Sequence, residues 1–222
     1  MTRSFASPPP ALNGAKFITF EGGDGSGKTT QLRRLSQALE ARHIPHIVTR
    51  EPGGSPQAER IRALVVQGPP EGWDGITEAF LMAASRRDHL RHTIWPALAE
   101  GVWVLCDRFA DSTWAYQGYG HGLGEDFVHR LNALTMGTFA PDLTFVFQLS
   151  ASCGVTRKKR DAVTEDRFEN LPATFHECVR QGYADLLRQE PQRCVAINAD
   201  HSIETLTKHL LQHLTEKGWL AP

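Results

Sequence analysis

The sequence predicts an α/β fold in which a parallel sheet of about five strands lies between two layers of helices. Three observations lead to this prediction. Short continuous apolar runs, the pattern of strands buried on both faces, alternate with stretches of helical periodicity over the 222 residues. The helical stretches are long enough to connect parallel strands by right-handed crossovers. Glycine-rich or charged segments directly follow several apolar runs, which is where ligands collect in such a sheet.

The predicted elements follow one another in a regular order. Apolar runs predict strands at "KFITFE" (16–21), "HIVTRE" (46–51), "VWVLCD" (102–107), "DLTFVFQLS" (142–150) and "RCVAIN" (193–198). Helical patterns lie at about 28–42, 57–67, 76–100, 125–138, 171–189 and 202–216. This length suits one α/β domain, so we expect a single domain at 15–222 after a loose, proline-containing extension at 1–14.

Composition excludes several classes of function. The net charge of −1 provides no basic field for coating nucleic acid or an anionic membrane, so any phosphate ligand must be held locally. No apolar run is long enough for a signal peptide or a membrane span, and we therefore expect a cytoplasmic protein. The cysteines, Cys106, Cys153, Cys178 and Cys194, are widely separated and are expected to be reduced thiols rather than a metal cluster.

A phosphate-binding loop follows the first predicted strand. Residues 22–29, "GGDGSGKT", match G-x-x-x-x-G-K-[ST] and open a predicted helix, which is the context this motif requires. Glycines let backbone N–H groups converge on one point, the helix start adds partial positive charge, and Lys28 reaches the outer phosphates. Thr29 supplies a hydroxyl for the magnesium ion that bridges those phosphates. The predicted loop comprises Gly22, Gly23, Asp24, Gly25, Ser26, Gly27, Lys28, Thr29 and Thr30, and it indicates nucleoside triphosphate binding.

Asp24 is an unexpected residue in this loop. A carboxylate would repel the phosphates unless it faced away from them, toward a second substrate with hydroxyl groups to donate. A solvated loop aspartate is the alternative.

Charged pairs close two further strands. Arg50 and Glu51 precede a Pro-Gly-Gly turn, either as a substrate-facing corner or as a surface salt bridge. In "CDRF", Asp107 is placed to orient magnesium and its waters, and Arg108 to bind a phosphate bidentately. Arg86 in "FLMAASRRDHL" is a third candidate cation, although a lone helix arginine is more often solvated.

Several signatures together resemble the bacterial thymidylate kinases, or dTMP kinases. "FEGGDGSGKTT", "TREPGG", "LMAASRRDHL", "WPALAEGVWVLCDRF", "DSTWAYQGYG", "PDLTFVFQLS" and "DRFE" occur in that family's order and spacing, over about residues 16–200. The resemblance implies the three-layer P-loop NTPase fold with a short lid, and an enzyme that phosphorylates dTMP with ATP and Mg²⁺. It also implies a homodimer formed through a helical face.

The resemblance implies roles for particular residues on the dTMP side. Asp24 would face the 3′-hydroxyl of the sugar, which accounts for its place in the loop. Arg50 and Arg108 would hold the dTMP phosphate, while Glu51 and Asp107 would order magnesium and those arginines. The remaining substrate-binding residues would be Met82, Arg86, Ser112, Thr113, Tyr116 and Gln117. Among these, Arg86 and Thr113 would contact the thymine, Tyr116 would disfavour a ribose 2′-hydroxyl, and Met82 replaces the aromatic ring common in relatives.

The charged segment 156–169, "TRKKRDAVTEDRFE", is too polar for a core. Such a run is usually a solvated loop, but phosphoryl transfer requires cations on the migrating group, and the phosphate loop has Gly25 where some relatives have arginine. We therefore expect a lid that supplies the cation. Its candidates are Arg157, Arg160 and Arg167, which join Lys28 and Arg108 as predicted catalytic residues.

Two other functions remain open on the sequence alone. One is a kinase of another deoxynucleoside monophosphate or of a nucleoside, although two strand-end arginines favour a phosphorylated acceptor. The other is a non-catalytic nucleotide-binding protein or switch. The sequence has no "NKxD" guanine-reading segment, and its intact phosphate loop argues against degeneracy.

Overall fold

The computed structural model describes residues 14–67, 69, 72–149 and 167–221. Within these ranges, five parallel strands form one sheet in the order β2-β3-β1-β4-β5. The strands are β1 (Phe17–Gly22), β2 (His46–Arg50), β3 (Trp103–Asp107), β4 (Leu143–Gln148) and β5 (Cys194–Asn198). The predicted parallel α/β fold is confirmed, and all five predicted strands are present.

Helices connect the strands and cover both faces of the sheet. The α-helices are α1 (Lys28–Glu40), α2 (Pro56–Val66), α3 (Gly75–His89), α4 (Trp95–Ala99), α5 (Ala110–Thr113), α6 (Glu125–Met136), α7 (Ala173–Gln189) and α8 (Ile203–Glu216). Two π-helical segments lie at Leu90–Ile94 and Trp114–Gly120, and a 3₁₀ turn lies at Arg167–Asn170. No helix in the described ranges combines the length and apolar character needed to cross a bilayer.

The order of the strands creates the ligand cleft. From β1 the chain moves outward to β2 and then returns to place β3 between them, while β4 and β5 extend the sheet on the other side. Because the strands are parallel, β1, β2 and β3 all end at the same edge of the sheet. The register pairs Arg50 with Asp107, and Asp107 with Phe20, so the three strand ends are adjacent.

The core lies on both faces of the sheet. All six residues of β1 are buried, as expected for a central strand. One apolar cluster joins the sheet to α1 and α8 and includes Leu35 and Leu210. A second cluster joins Val146 of β4 to α7 and to the segment Trp114–Gly120.

The predicted helix at 76–100 differs from the observed structure. A single α-helix was expected, but α3 ends at His89, and a π-helical turn at Leu90–Ile94 precedes α4. Pro96 explains the change, because it has no N–H to continue the ladder and its ring crowds the carbonyl one turn earlier. Helical structure over residues 110–120 was not predicted.

The predicted lid at about 156–169 and the extension at 1–14 fall largely outside the described residues. Only Gly14 of the extension and residues 167–169 of the lid are described. The division into an extension, one domain at 15–222 and a lid therefore stays a prediction.

Candidate active site

The phosphate-binding loop joins β1 to α1 and requires glycine at its first position. Gly22 has φ +128°, and a Cβ there would lie 2.3 Å from the carbonyl oxygen of Phe147 in the neighbouring strand. The buried Lys28 donates from Nζ to the Gly23 carbonyl at 2.7 Å. Burial, with repulsion by Arg108, lowers the pKa of Lys28 to about 8. An anion beside Lys28 would stabilise its charged form.

Thr29 and Asp107 meet at the start of α1. The Thr29 hydroxyl donates to Oδ2 of Asp107 at 2.7 Å, which joins the loop to the end of β3. No cluster of three or more His, Cys, Asp or Glu side chains suited to a metal occurs among the described residues. Magnesium often needs only one or two protein oxygens besides substrate phosphates, and the hydroxyl–carboxylate pair fits that requirement.

Arg108 sits at the centre of the site in an unusual backbone conformation. Its φ of 67° lies in the left-handed region, which costs free energy in a residue other than glycine. The guanidinium donates to Asp24 at 2.5 Å, to the Gly22 carbonyl at 3.0 Å and to Ser112 at 3.2 Å. It also lies 5.1 Å from the centre of the Tyr116 ring. One arginine thus contacts both the phosphate loop and the segment after β3.

Asp24 is ionised in this arrangement. Burial alone would raise the pKa of its carboxyl, but the positive charges of Arg108 and Lys28 outweigh burial and lower it to about 2. The Tyr116 hydroxyl lies 3.4 Å from the other oxygen of Asp24. Asp24 is therefore an acceptor paired with Arg108, and the alternative of a solvated loop aspartate is not observed.

Glu21 is a buried carboxylate that binds residues next to Arg108, and this role was not predicted from the sequence. It lies fully buried in β1 and accepts hydrogen bonds from Phe109 N (2.7 Å), Ser112 Oγ (2.6 Å) and the Tyr183 hydroxyl (2.8 Å). Burial, with repulsion by Asp111, raises the pKa of Glu21 to about 7. Its carboxyl holds the segment after β3 against β1.

The corner after β2 places one charged side chain outward and one inward. Arg50 is exposed and donates to Glu59 at 3.1 Å. Glu51 is buried, and its two oxygens pair with Arg86 Nε at 2.8 Å and His89 Nδ1 at 3.0 Å. Glycine is needed at position 54, where φ is +85° and a Cβ would lie 2.3 Å from His89 Nε2.

Arg86 is buried at the inner end of the site with one donor left over. Its Nη2 donates to Thr113 Oγ1 at 3.0 Å and to the Phe109 carbonyl at 3.1 Å, while Nε pairs with Glu51. Nη1 is buried and has no hydrogen-bond partner among the residues that the structure describes. Such a group in a native site is best explained by a ligand or solvent atom that it bonds.

One cavity of about 660 Å³ brings these residues together. Its lining includes the predicted site residues Asp24, Gly25, Ser26, Gly27, Lys28, Thr29, Thr30, Arg50, Glu51, Met82, Arg86, Asp107, Arg108, Ser112, Thr113, Tyr116 and Gln117. Gly22 and Gly23 form the start of the adjoining loop. Asp24, Arg50 and Arg108 thus line one cavity.

The three predicted lid arginines are not found together in the described structure. Arg157 and Arg160 lie outside the described residues. Arg167 is fully buried, where its Nη2 pairs with Glu78 and its Nε donates to the Val65 carbonyl at 3.1 Å. It does not line the cavity. Its neighbour Phe168 does line the cavity, although no role was predicted for this residue.

The geometry of the site defines a class of protein. A phosphate-binding loop with a hydroxyl–carboxylate pair faces a second set of buried polar groups in the same cavity, which is the arrangement of a P-loop kinase of small molecules. A family model described as thymidylate kinase matches residues 20–210. The chain belongs to the thymidylate kinase family, a family of nucleotide-binding transferases.

Individual relatives agree with this membership. The chain is 46% identical over 189 residues to a thymidylate kinase of Magnetococcus marinus, covering 85% of this chain and 90% of the relative. A thymidylate kinase of Caulobacter vibrioides is 48% identical over 191 residues, with 86% and 91% covered. The crystal structure of thymidylate kinase from Ehrlichia chaffeensis superposes with a TM-score of 0.74 at 33% identity, over 91% of this chain and all of that one.

Proposed function

We propose that the protein transfers the terminal phosphoryl group of ATP to dTMP and forms dTDP, a step in dTTP biosynthesis. The observation that carries the proposal is Nη1 of Arg86, which has no hydrogen-bond partner among the described residues and is buried in the cavity that Lys28 and Arg108 also line. The family membership and the names of the relatives support the same reaction.

The free donor of Arg86 suits thymine in particular. Thymine presents a carbonyl oxygen, O4, where cytosine presents an amino group. Nη1 of Arg86 would donate to O4, whereas a cytosine amino group would place a donor against a donor. Met82 would pack on the base, because a thioether makes favourable contacts with an aromatic ring. Thr113 Oγ1 accepts a hydrogen bond from Arg86 Nη2 and so helps to orient this side chain.

Asp24 and Tyr116 would select the sugar. The ionised carboxylate of Asp24 accepts hydrogen bonds only, so it suits the 3′-hydroxyl of the deoxyribose. The Tyr116 hydroxyl lies near that carboxylate, and its ring packs edge-on against Phe168 and Phe175. A ring fixed in this way would leave no room for a 2′-hydroxyl.

The dTMP phosphate would lie between Arg50 and Arg108. The exposed pair of Arg50 with Glu59 contributes little stability, so Arg50 can exchange this partner for a phosphate at low cost. Arg108 is already oriented by Asp24 and the Gly22 carbonyl, and Ser112 lies beside it. Since a phosphate oxygen is ionised at neutral pH, the attack needs no general base.

Lys28, Thr29 and Asp107 would serve ATP. Residues 22–30 would wrap its phosphates with Lys28 at the outer ones, and Thr29 and Asp107 would hold magnesium and its waters. When bound, this ion supplies charge neutralisation between the phosphates. The oxygens of Glu51 are occupied by Arg86 and His89, so we propose that Glu51 orients Arg86 rather than binding the ion.

A turnover panel tests the function. The protein is assayed with ATP and Mg²⁺ against dTMP, dUMP, dCMP, dAMP, dGMP and ribothymidine monophosphate. We expect the highest kcat/KM for dTMP, with dCMP and the ribonucleotide disfavoured by Arg86 and Tyr116. A higher kcat/KM for another monophosphate would assign the enzyme to that acceptor, and no acceptor-dependent ADP release would refute the kinase.

We also propose a homodimer formed through α3 and α6. These helices pack on each other through Ala79, Ala83 and Leu131, and their outer faces expose Phe80 (55%) and Leu134 (82%). Apolar side chains on adjacent helices favour burial against a second copy of the same face. The family resemblance also implies a homodimer formed through a helical face.

Changing Leu134 to Glu is expected to shift the protein from dimer to monomer, because a carboxylate would be buried in an apolar interface. Light scattering after size-exclusion chromatography measures the mass. Leu64→Glu is the matched control, since Leu64 is an exposed leucine of α2. A wild-type monomer at micromolar concentration would rule out the dimer.

We place the reaction in the cytoplasm, where ATP is available. The described cysteines, Cys106, Cys178 and Cys194, are free thiols, which is consistent with a reducing compartment.

A further inference from the structure

A buried carboxylate beside the cavity joins three separate segments of the chain. Glu78 of α3 is fully buried, and its oxygens accept hydrogen bonds from Gln117, His121 and Arg167. The distances are 2.7 Å to Gln117 Nε2 and 3.1 Å to His121 Nε2, and Arg167 Nη2 is in close contact with the second oxygen. We name these four residues the Glu78 cluster.

The cluster reaches the cavity through Gln117. This side chain is buried and lines the cavity together with Arg86 and Met82. An amide has one end that donates and one end that accepts. A carboxylate only accepts, so Glu78 fixes the Gln117 amide with Nε2 toward itself. The carbonyl oxygen of Gln117 is then the end left to meet a ligand.

Arg167 makes this arrangement possible. A carboxylate buried without a counter-charge would be costly, and a paired guanidinium with further hydrogen bonds offsets that cost. Arg167 is itself held by the Val65 carbonyl at the end of α2. The charge of Glu78 is thereby balanced inside the protein, and the carboxylate can keep its single orientation of Gln117.

We propose that Glu78 is a positioning residue that sets base specificity by fixing the direction of the Gln117 amide. The inference rests on the proposed function and deepens it. Thymine carries a donor at N3 beside the acceptor O4, and cytosine carries an acceptor at N3 beside an amino donor. The Gln117 carbonyl would accept a hydrogen bond from N3 of thymine, and Arg86 Nη1 would donate to O4. With cytosine, the carbonyl would face an acceptor at N3, and Nη1 would face the amino group, which is a donor.

The substitution Glu78→Gln tests the proposal because it keeps the shape and removes the constraint. An amide at position 78 can donate to the Gln117 carbonyl, which would free the Gln117 amide to turn and present its NH₂ group to the base. We expect the ratio of kcat/KM for dTMP to kcat/KM for dCMP to fall at least tenfold, with the loss on dTMP appearing mainly in KM. Glu100→Gln, the same change at an exposed site, is expected to leave the ratio unchanged.

A double-mutant comparison separates positioning from general damage. Gln117→Met removes the amide and should itself lower the ratio at least tenfold. Adding Glu78→Gln to that variant should then change the ratio no further. If Glu78→Gln does not fold, the Gln117→Met variant still decides, because a wild-type ratio there overturns the proposal. A wild-type ratio in folded Glu78→Gln also overturns the proposal. So does a fall in the ratio caused by Glu78→Gln that is equally large in the wild-type and in the Gln117→Met background.

The outcome is distinguishable from failure of the proposed function. A wild-type protein that does not phosphorylate dTMP refutes the function. A wild-type protein that does so, with base preference insensitive to Glu78 or Gln117, refutes only this inference.

Discussion

Changing Arg108 to Ala is expected to lower kcat/KM for dTMP about 10³-fold. The guanidinium donates to Asp24 at 2.5 Å, to the Gly22 carbonyl and to Ser112. Its removal would therefore delete the hydrogen bonds that connect the phosphate-binding loop to the segment after β3. Removing one oriented donor from the charge that develops in a transition state costs about 10²–10³ in kcat, and the weaker binding of the dTMP phosphate adds to this loss in kcat/KM. The dTMP phosphate would lose a cation, and Asp24 would lose its partner.

Steady-state kinetics with varied dTMP at saturating ATP measure the effect. Arg33→Ala is the control, because Arg33 is an exposed arginine of α1 that does not line the cavity. Arg108→Lys should restore only part of the activity, since an ammonium cannot contact several acceptors in a planar fork. A loss below tenfold in Arg108→Ala would contradict the central place that the geometry gives to this side chain.

The central strands β1, β3 and β4 were predictable because they are buried over most of their length, whereas the edge strands β2 and β5 are only partly buried. A parallel sheet covered on both faces produces continuous apolar runs, and such runs can be recognised in the sequence at all five strands. The error at 76–100 shows the limit of periodicity. The spacing of apolar residues continues through Leu90–Ile94 as in an α-helix. This spacing depends on side-chain polarity alone, so it cannot predict the effect of the N–H group that Pro96 lacks. Local backbone chemistry decided the outcome there.

The strand-end residues were predictable for a related reason. Topology alone places Asp24, Glu51 and Arg108 at one edge once their strands are known. Glu21 has one local signal, since it is a charged residue within the apolar run "FITFE", but no role was predicted for it. Its three hydrogen bonds come from residues 88 to 162 positions away. Contacts of that kind depend on the folded chain.

Nothing in the sequence indicated that Glu78 contributes to the site. It occupies an ordinary position in a helical pattern, and its partner Gln117 lies 39 residues further along the chain. The same reasoning applies to Arg167, which looks equivalent to Arg157 and Arg160 in a charged stretch of sequence. Only the fold shows that Arg167 is buried and paired with Glu78.

This burial separates two kinds of arginine in the predicted lid. We expect Arg157→Ala or Arg160→Ala to lower kcat about 10³-fold or more with little change in Tm, the effect of losing a cation on the transferred phosphate. Arg167→Ala should instead lower the free energy of unfolding by about 3–5 kcal/mol, because Glu78 would remain buried without its counter-charge.

Single-turnover rates at saturating ATP and dTMP, together with thermal unfolding, distinguish the two effects. Lys208→Ala is the control for removing an exposed cation. Mild kinetic effects in all three variants would refute a catalytic cation in this segment. A 10³-fold loss of kcat in a fully stable Arg167→Ala would show that Arg167 leaves Glu78 during the reaction and acts on the phosphate itself. Because the two readouts are independent, each arginine is assigned by the pattern of both.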